Sequence, residues 1–345
     1  MLSILMKKLE DPTRPLLGPN HKLLTTFGLL LPKNPWLKCF FLLVHIYVTL
    51  FTFTEVVEIF FVKSDLNLLI TNMKVSMLAT ISCYKIITFL VWQKDWIDLL
   101  EYATRADKAS RDFSKNNNDV DKKTIDEYTS YCRKVTVCYM CLTYFTVTSM
   151  ISQPFVKYVS SPSYRENTRL GLEPYVHVVS SWVPFDKNCM PGYSFALILE
   201  ILACLGAGGW LSSFDASAVV VMVFFKGELQ LIRASCSRIF DGGKDLAVKR
   251  IRECHDRHLE LVKYAKLFDS CLSPVLFMYV VESSLMLCAT TYQLTTLDSN
   301  PMQRFLTIIY LLFGILQLFV YCWHGNDVLY TSNSVMSGAF ESQWW

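Results

Sequence analysis

The chain has 345 residues, 52% of them apolar and only 18% charged, with a mean hydropathy of +0.30. Soluble domains carry about a quarter charged residues, so charge is depleted here and must be concentrated between long apolar runs. A net charge of +3, dispersed along the chain, gives no footing for a nucleic-acid-binding surface.

In chain order, Met1–Met6 is too short for a signal-peptide core and is followed by Lys7, Lys8 and a Pro-rich stretch. The first span is therefore expected to act as its own insertion signal. Six spans are predicted, over 37–61, 67–92, 135–157, 193–225, 272–297 and 303–323. Each can cross a bilayer, since about 20 residues at 1.5 Å rise cover a hydrocarbon core of roughly 30 Å. The expected fold is an all-α, polytopic transmembrane bundle forming one membrane domain over 1–345.

Charge is sparse inside the spans. The first ends in Glu55 and Glu58, the second holds Lys74 and Lys85, the fourth holds Glu200 and Asp215, and the fifth holds Glu282. Lys74 and Lys85 lie close enough to the ends of their span to snorkel toward the interface. Glu282 and Asp215 lie deeper, where a charge is costly and calls for a partner or a water-lined cavity.

The connections between spans two and three and between spans four and five read as helices. Trp96, Leu99 and Leu100 share one stripe, the spacing of an amphipathic helix. Ser114–Asp119 reads as a polar break, with helix resuming near Thr124. The fourth span meets no Pro before Ile239 and is expected to project beyond the bilayer until Asp241-Gly-Gly243 ends it. From Lys244 to Asp269, Ala247, Ile251, Cys254, His258, Leu261, Ala265 and Phe268 fall on one stripe, so two long helices are placed to pack together. After the sixth span, the polar His324–Asp327 is expected to stop the apolar run abruptly.

Orientation follows from Lys and Arg in the connections. Of the 33, 24 fall before the first span and in the 93–134 and 226–271 loops, and only six on the other side. The positive-inside rule then makes the N-terminus cytoplasmic, opposite to a G-protein-coupled receptor.

Catalytic and metal chemistry finds little support. His255 and His258 beside Cys254 lack an HExxH pattern and a further ligand. His177 and Asp186 invite comparison with a membrane acyltransferase, but the His sits in a loop rich in Pro and Ser. Cys138-Tyr-Met-Cys141 has no second pair. The 12 Cys read mostly as small buried hydrophobes. Gly206-Ala-Gly-Gly209 lies inside a span, where small residues let helices approach. No cofactor, no metal and no enzymatic activity are expected.

The stretch Gln317–Trp345, QLFVYCWHGNDVLYTSNSVMSGAFESQWW, resembles the C-terminal signature of insect odorant receptors. Cys254–Leu294 is similar to the fifth-helix region of that family, with His258, Cys288 and Tyr292-Gln293-Leu294 at its marked positions. Ser181–Asp186 (SWVPFD) resembles the second outer loop, and Thr25–Pro32 (TTFGLLLP) the short pre-membrane helix. The inverted topology, obtained independently, agrees.

The resemblance implies a tuning subunit of an odorant-gated cation channel. Such a subunit assembles with a shared odorant receptor coreceptor, expected as a hetero-oligomeric tetramer, in the plasma membrane of sensory neuron dendrites. The 233–271 connection is far shorter than the cytoplasmic insertion of the coreceptor itself. The family continues past the Trp of this signature with a cytoplasmic helix and a pore-lining span, so the chain is expected to be an incomplete gene model, a truncated isoform or a fragment, the first two being favoured. The alternatives are a gustatory-type receptor of the same architecture, whose own final-span signature is absent here, or a membrane enzyme or transporter.

An odorant is small and apolar, so its site should be a mostly hydrophobic cavity with few polar groups. With this topology, the outer halves of spans two, three, four and six are expected to form it. Met77, Thr80, Tyr84, Phe145, Met150, Phe195, Leu199 and Tyr310 are the predicted ligand-contacting residues.

Overall fold

A computed structural model describes residues 10–61, 66–117, 119–241, 244–296 and 301–342. Within these, side chains 66–68, 115–117, 119, 244–245, 296, 301–303, 306 and 310 are not described. The described residues form nine helices and no strand: α1 Gly18–Thr26, α2 Pro35–Phe61, α3 Leu66–Val91, α4 Gln93–Asn117, α5 Asp119–Ser160, α6 Pro162–Arg169, α7 Gly192–Ser237, α8 Lys244–Thr296 and α9 Pro301–Glu341. Six of them, α2, α3, α5, α7, α8 and α9, are long and apolar enough to cross a membrane.

These six helices turn apolar residues outward as well as inward. Leu43, Leu50 and Phe53 of α2, Ile198 and Leu202 of α7, Phe277 and Leu285 of α8, and Leu312 and Phe319 of α9 are all more than half exposed. An apolar surface of that extent is stable against lipid, not water.

Helix α7 is the axis of the bundle. Every residue from Gly208 to Phe225 is buried, and α1, α2, α3, α5, α8 and α9 all pack on it. A helix that is apolar all round belongs in such a central place. Its glycines permit close approach: a Cβ on Gly208 would meet Val147 at 2.9 Å, and one on Gly227 would meet Tyr128 at 2.5 Å. The Phe27 ring fills the space a Cβ on Gly209 would need. That contact seats the N-terminal segment in the bundle. Trp210 Nε1 donates to the Phe27 carbonyl at 3.2 Å. His45 Nε2 bonds the Gly28 carbonyl at 3.0 Å, where Gly28 turns the chain with φ +70°.

At the basic end, α4 buries Trp96, Leu99 and Leu100, as their spacing predicts. On α8, Ala247, Leu261 and Phe268 of the predicted stripe are buried, whereas Ile251 is exposed. Buried carboxylates bind the helices to each other. Glu228 of α7 accepts from Ser110 of α4 at 2.9 Å and from Arg257 of α8 at 3.0 Å. Asp107 takes Tyr128 at 2.8 Å and Arg111 at 3.0 Å. Tyr102 stacks on Tyr264 with centroids 3.9 Å apart, and burial pushes its hydroxyl well above the ordinary tyrosine range.

Three expectations need correction. Helix α4 runs through Asn117 and α5 begins at Asp119, so the Ser114–Asp119 break is far shorter than its polarity suggests. Past the sixth span, α9 stays helical through the polar His324–Asp327 and continues to Glu341. His324 bonds Tyr131 at 3.1 Å and the Val320 carbonyl at 2.7 Å, and Asp327 pairs with Lys226 at 2.7 Å. With their polar groups satisfied by neighbours, these residues stay helical. Lys74 and Lys85 do not snorkel. Both are buried and held by partners inside the bundle, Lys74 by Gln293 and Lys85 by Asp215. Finally, Cys39, Cys138, Cys141, Cys189, Cys288 and Cys322 are exposed while Cys83, Cys132 and Cys271 are buried. The outward face of an apolar helix accommodates a thiol as readily as the core does.

Candidate functional site

A cavity lies between α2, α3, α5 and α7, toward the end of the bundle that carries the 158–192 connection. Each helix contributes one stripe at three- and four-residue spacing, so the stripes converge on one space. Helix α2 gives Val48, Phe51, Thr52 and Glu55; α3 gives Val75, Leu78, Ala79 and Ser82. Helix α5 gives Thr143, Thr146, Val147 and Met150; α7 gives Ala203, Cys204, Ala207, Gly208 and Leu211. Phe313 of α9 and Val179 complete the wall. The small residues of α3 and α7 open the space. The cavity volume is about 60 Å³.

The segment after α6 roofs this cavity. Val178 and Val179 pack with Phe51, Met150 and Ala203 in one buried apolar cluster. Two buried carboxylates hold the segment down. Glu200 accepts from His177 Nδ1 at 2.7 Å and from the Val178 amide at 2.9 Å. Glu58 accepts from Lys187 at 2.8 Å and from Ser180 at 3.1 Å. The Trp182 amide also donates to the Thr54 carbonyl at 3.2 Å.

Beneath the cavity lies a buried polar centre. One turn below Ser82, Lys85 meets Asp215 at 2.6 Å, and Asp215 itself lies one turn below Leu211. Tyr321 donates to Asp215 Oδ1 at 2.6 Å, and the Gln317 amide donates to Asp215 Oδ2. The Lys85 ammonium also sits 4.8 Å from the Tyr279 ring centroid, a cation–π distance. This centre ties α3, α7, α8 and α9 together directly under the cavity.

Of the predicted contact residues, Met150 lines the cavity. Leu199 packs beside the Phe51 cluster, and its carbonyl accepts from Tyr47 at 2.6 Å. Tyr84 packs against the main core. Met77 is half-buried on α3, as is Thr80, whose hydroxyl bonds back to the Ser76 carbonyl at 2.7 Å. Phe145 and Phe195 are each 56% exposed on the outer surface. The Tyr310 side chain lies outside the described residues. Span one, absent from the expected set, supplies four lining residues. A carboxylate at the i+7 position of an apolar stripe, Glu55 after Val48, was the signal for it. Among the described residues, no three His, Cys, Asp or Glu come together to hold a metal ion.

The comparisons agree with this architecture. The 7tm Odorant receptor family pattern matches residues 65–345. The odorant receptor coreceptor of Anopheles gambiae is 28% identical over 90 residues, covering 26% of this chain and 19% of that protein. Odorant receptor 10 of Aedes albopictus is 27% identical over 166 residues, covering 46% of this chain and 43% of its own. The matched regions thus span less than half the length of these relatives. The structure of the insect olfactory receptor OR5 from Machilis hrabei superimposes with a TM-score of 0.76 at 16% identity, covering 97% of this chain and 82% of that one. The same receptor in complex with eugenol gives a TM-score of 0.74 at 15% identity, with 96% and 91% covered. These two likenesses show the fold. The family pattern, which takes in all but the first 64 residues, shows the kinship: this multi-pass membrane protein belongs to the 7tm odorant receptor family.

Proposed function

We propose that this chain is an odorant-recognising receptor that binds a small, largely apolar volatile ligand in the cavity between α2, α3, α5 and α7. The observation that carries the reading is the cavity itself, a space walled mostly by hydrophobic side chains with few polar groups, the usual make-up of a small-molecule site. A fold neighbour that binds the small aromatic molecule eugenol supports it. The chain acts as a single membrane domain, as a receptor and not as an enzyme. It works with an odorant receptor coreceptor in a cation channel, expected as a tetramer, in the plasma membrane of sensory neuron dendrites. Its N-terminus is cytoplasmic, because Lys and Arg concentrate in the N-terminal segment and in the 93–134 and 226–271 connections.

The test is direct ligand binding. The chain in lipid nanodiscs is titrated with a panel of small volatiles. Met150→Trp should fill the cavity and abolish binding while the fold stays intact. Undiminished binding by Met150→Trp would place the ligand elsewhere.

A further inference from the structure

Glu55 is the only Asp, Glu, Lys, Arg or His among the cavity-lining residues. It is 4% exposed, and its Oε2 has no hydrogen-bond partner. Glu282, half-buried and outside the cavity, likewise leaves its Oε2 without a partner, whereas each of the other fully buried Asp and Glu residues described has a cationic or imidazole partner. Glu58 has Lys187, Asp107 has Arg111, Asp121 has Arg238, Glu200 has His177, Asp215 has Lys85 and Glu228 has Arg257. An unpaired carboxylate in an apolar site is costly, and a matching cation offsets that cost. Across the same cavity, the Thr143 hydroxyl is also buried and without a partner. Glu200 adds a second acidic group near Glu55, while the buried ammonium groups of Lys74 and Lys85 are engaged by Gln293 and Asp215. The local field therefore favours a cation over a neutral donor.

We propose that the cavity takes a small hydrophobic primary amine, its ammonium donating to the Glu55 carboxylate and its hydrocarbon part lying against Val75, Val147, Met150 and Leu211. The inference rests on the reading of this cavity as the ligand site and names the class of ligand for it.

The test is direct binding to the full chain in lipid nanodiscs at neutral pH. The ligands are cyclohexylamine, cyclohexanol and methylcyclohexane, three molecules of similar shape. The amine should bind at least about tenfold tighter than the other two, the factor that one charge-assisted contact of about 1.4 kcal/mol supplies. Glu55→Gln should remove that preference and leave the alcohol's binding unchanged. Met150→Trp should abolish binding of all three. An amine that binds no tighter than the alcohol, or a preference that survives Glu55→Gln, overturns the amine assignment while leaving the cavity reading standing. Binding of all three that survives Met150→Trp overturns both. If Glu55→Gln does not yield folded protein, the amine-to-alcohol ratio of the native chain decides alone.

Discussion

Lys85 and Asp215 lie 2.6 Å apart, with both side chains only 1% exposed, inside the membrane-spanning part of the bundle. Neither is near water, so each is the other's main compensation. Tyr321 donates to the same carboxylate oxygen as Lys85, and Gln317 to the other.

Removing one partner of such a pair leaves a bare charge in a low-dielectric interior, at a cost of about 3–5 kcal/mol. Lys85→Met and Asp215→Asn alone should therefore lower the thermal unfolding temperature in nanodiscs steeply or abolish surface expression. The double variant Lys85→Met, Asp215→Leu should recover much of the loss. A double variant no better than the worse single one would show that the pair is not coupled as described.

Gly209 has no side chain because the Phe27 ring occupies that space. Gly209→Leu must displace the ring and with it the Trp210 bond to the Phe27 carbonyl. Overpacking of this kind costs about 1–3 kcal/mol. The expected result is a lower unfolding temperature together with faster proteolysis of the 18–34 segment. Unchanged proteolysis would mean that the segment is held by other contacts.

The roof of the cavity should loosen when its anchor is weakened. Glu200→Gln keeps the shape of the side chain but loses the charge that His177 and the Val178 amide share. Charge-assisted bonds are roughly twice as strong as neutral ones. Amide hydrogen exchange over 176–182 should rise about tenfold, the equivalent of about 1.4 kcal/mol, with no change in α4. Exchange that rises everywhere or nowhere would remove Glu200 from this role.

Topology has its own check. The 158–192 connection carries no N-x-S/T acceptor. One engineered near Ser163 should be glycosylated in cells, and one near Asn117 should not. The reverse pattern would invert the orientation.

The helices themselves were legible because periodicity survives in the sequence. The stripe of Trp96, Leu99 and Leu100 is buried, and each of the six spans falls on a helix long and apolar enough to cross a membrane, with only residue 92 beyond the end of α3 and residue 297 outside the described residues. Partners across the bundle were not legible. Lys85 reads as a snorkelling residue until Asp215, 130 positions away, is brought beside it. That the helix continues through His324–Asp327 was hidden for the same reason, since Tyr131 and Lys226 satisfy these residues from other helices. The cavity was half legible: its end of the bundle and Met150 follow from the pattern. An aromatic residue in an outer half-span gives no sign of its direction, and Phe145 and Phe195 face outward. Small residues define the space instead. Ala79, Ala203, Ala207 and Gly208 line it, and they carry little signal singly.

The central claim, that ligands enter the space between α2, α3, α5 and α7, is tested most directly by photoaffinity labelling. A short-chain alkyl diazirine would be photolysed on the full chain in nanodiscs and its adducts mapped by peptide mass spectrometry. The account predicts adducts on peptides containing Val48–Glu55, Val75–Ser82, Thr143–Met150 and Ala203–Leu211, all suppressed by excess unlabelled ligand and by Met150→Trp. Competable adducts confined to the outward faces around Phe145 and Phe195, or to the basic end near Glu228 and Arg257, would contradict it.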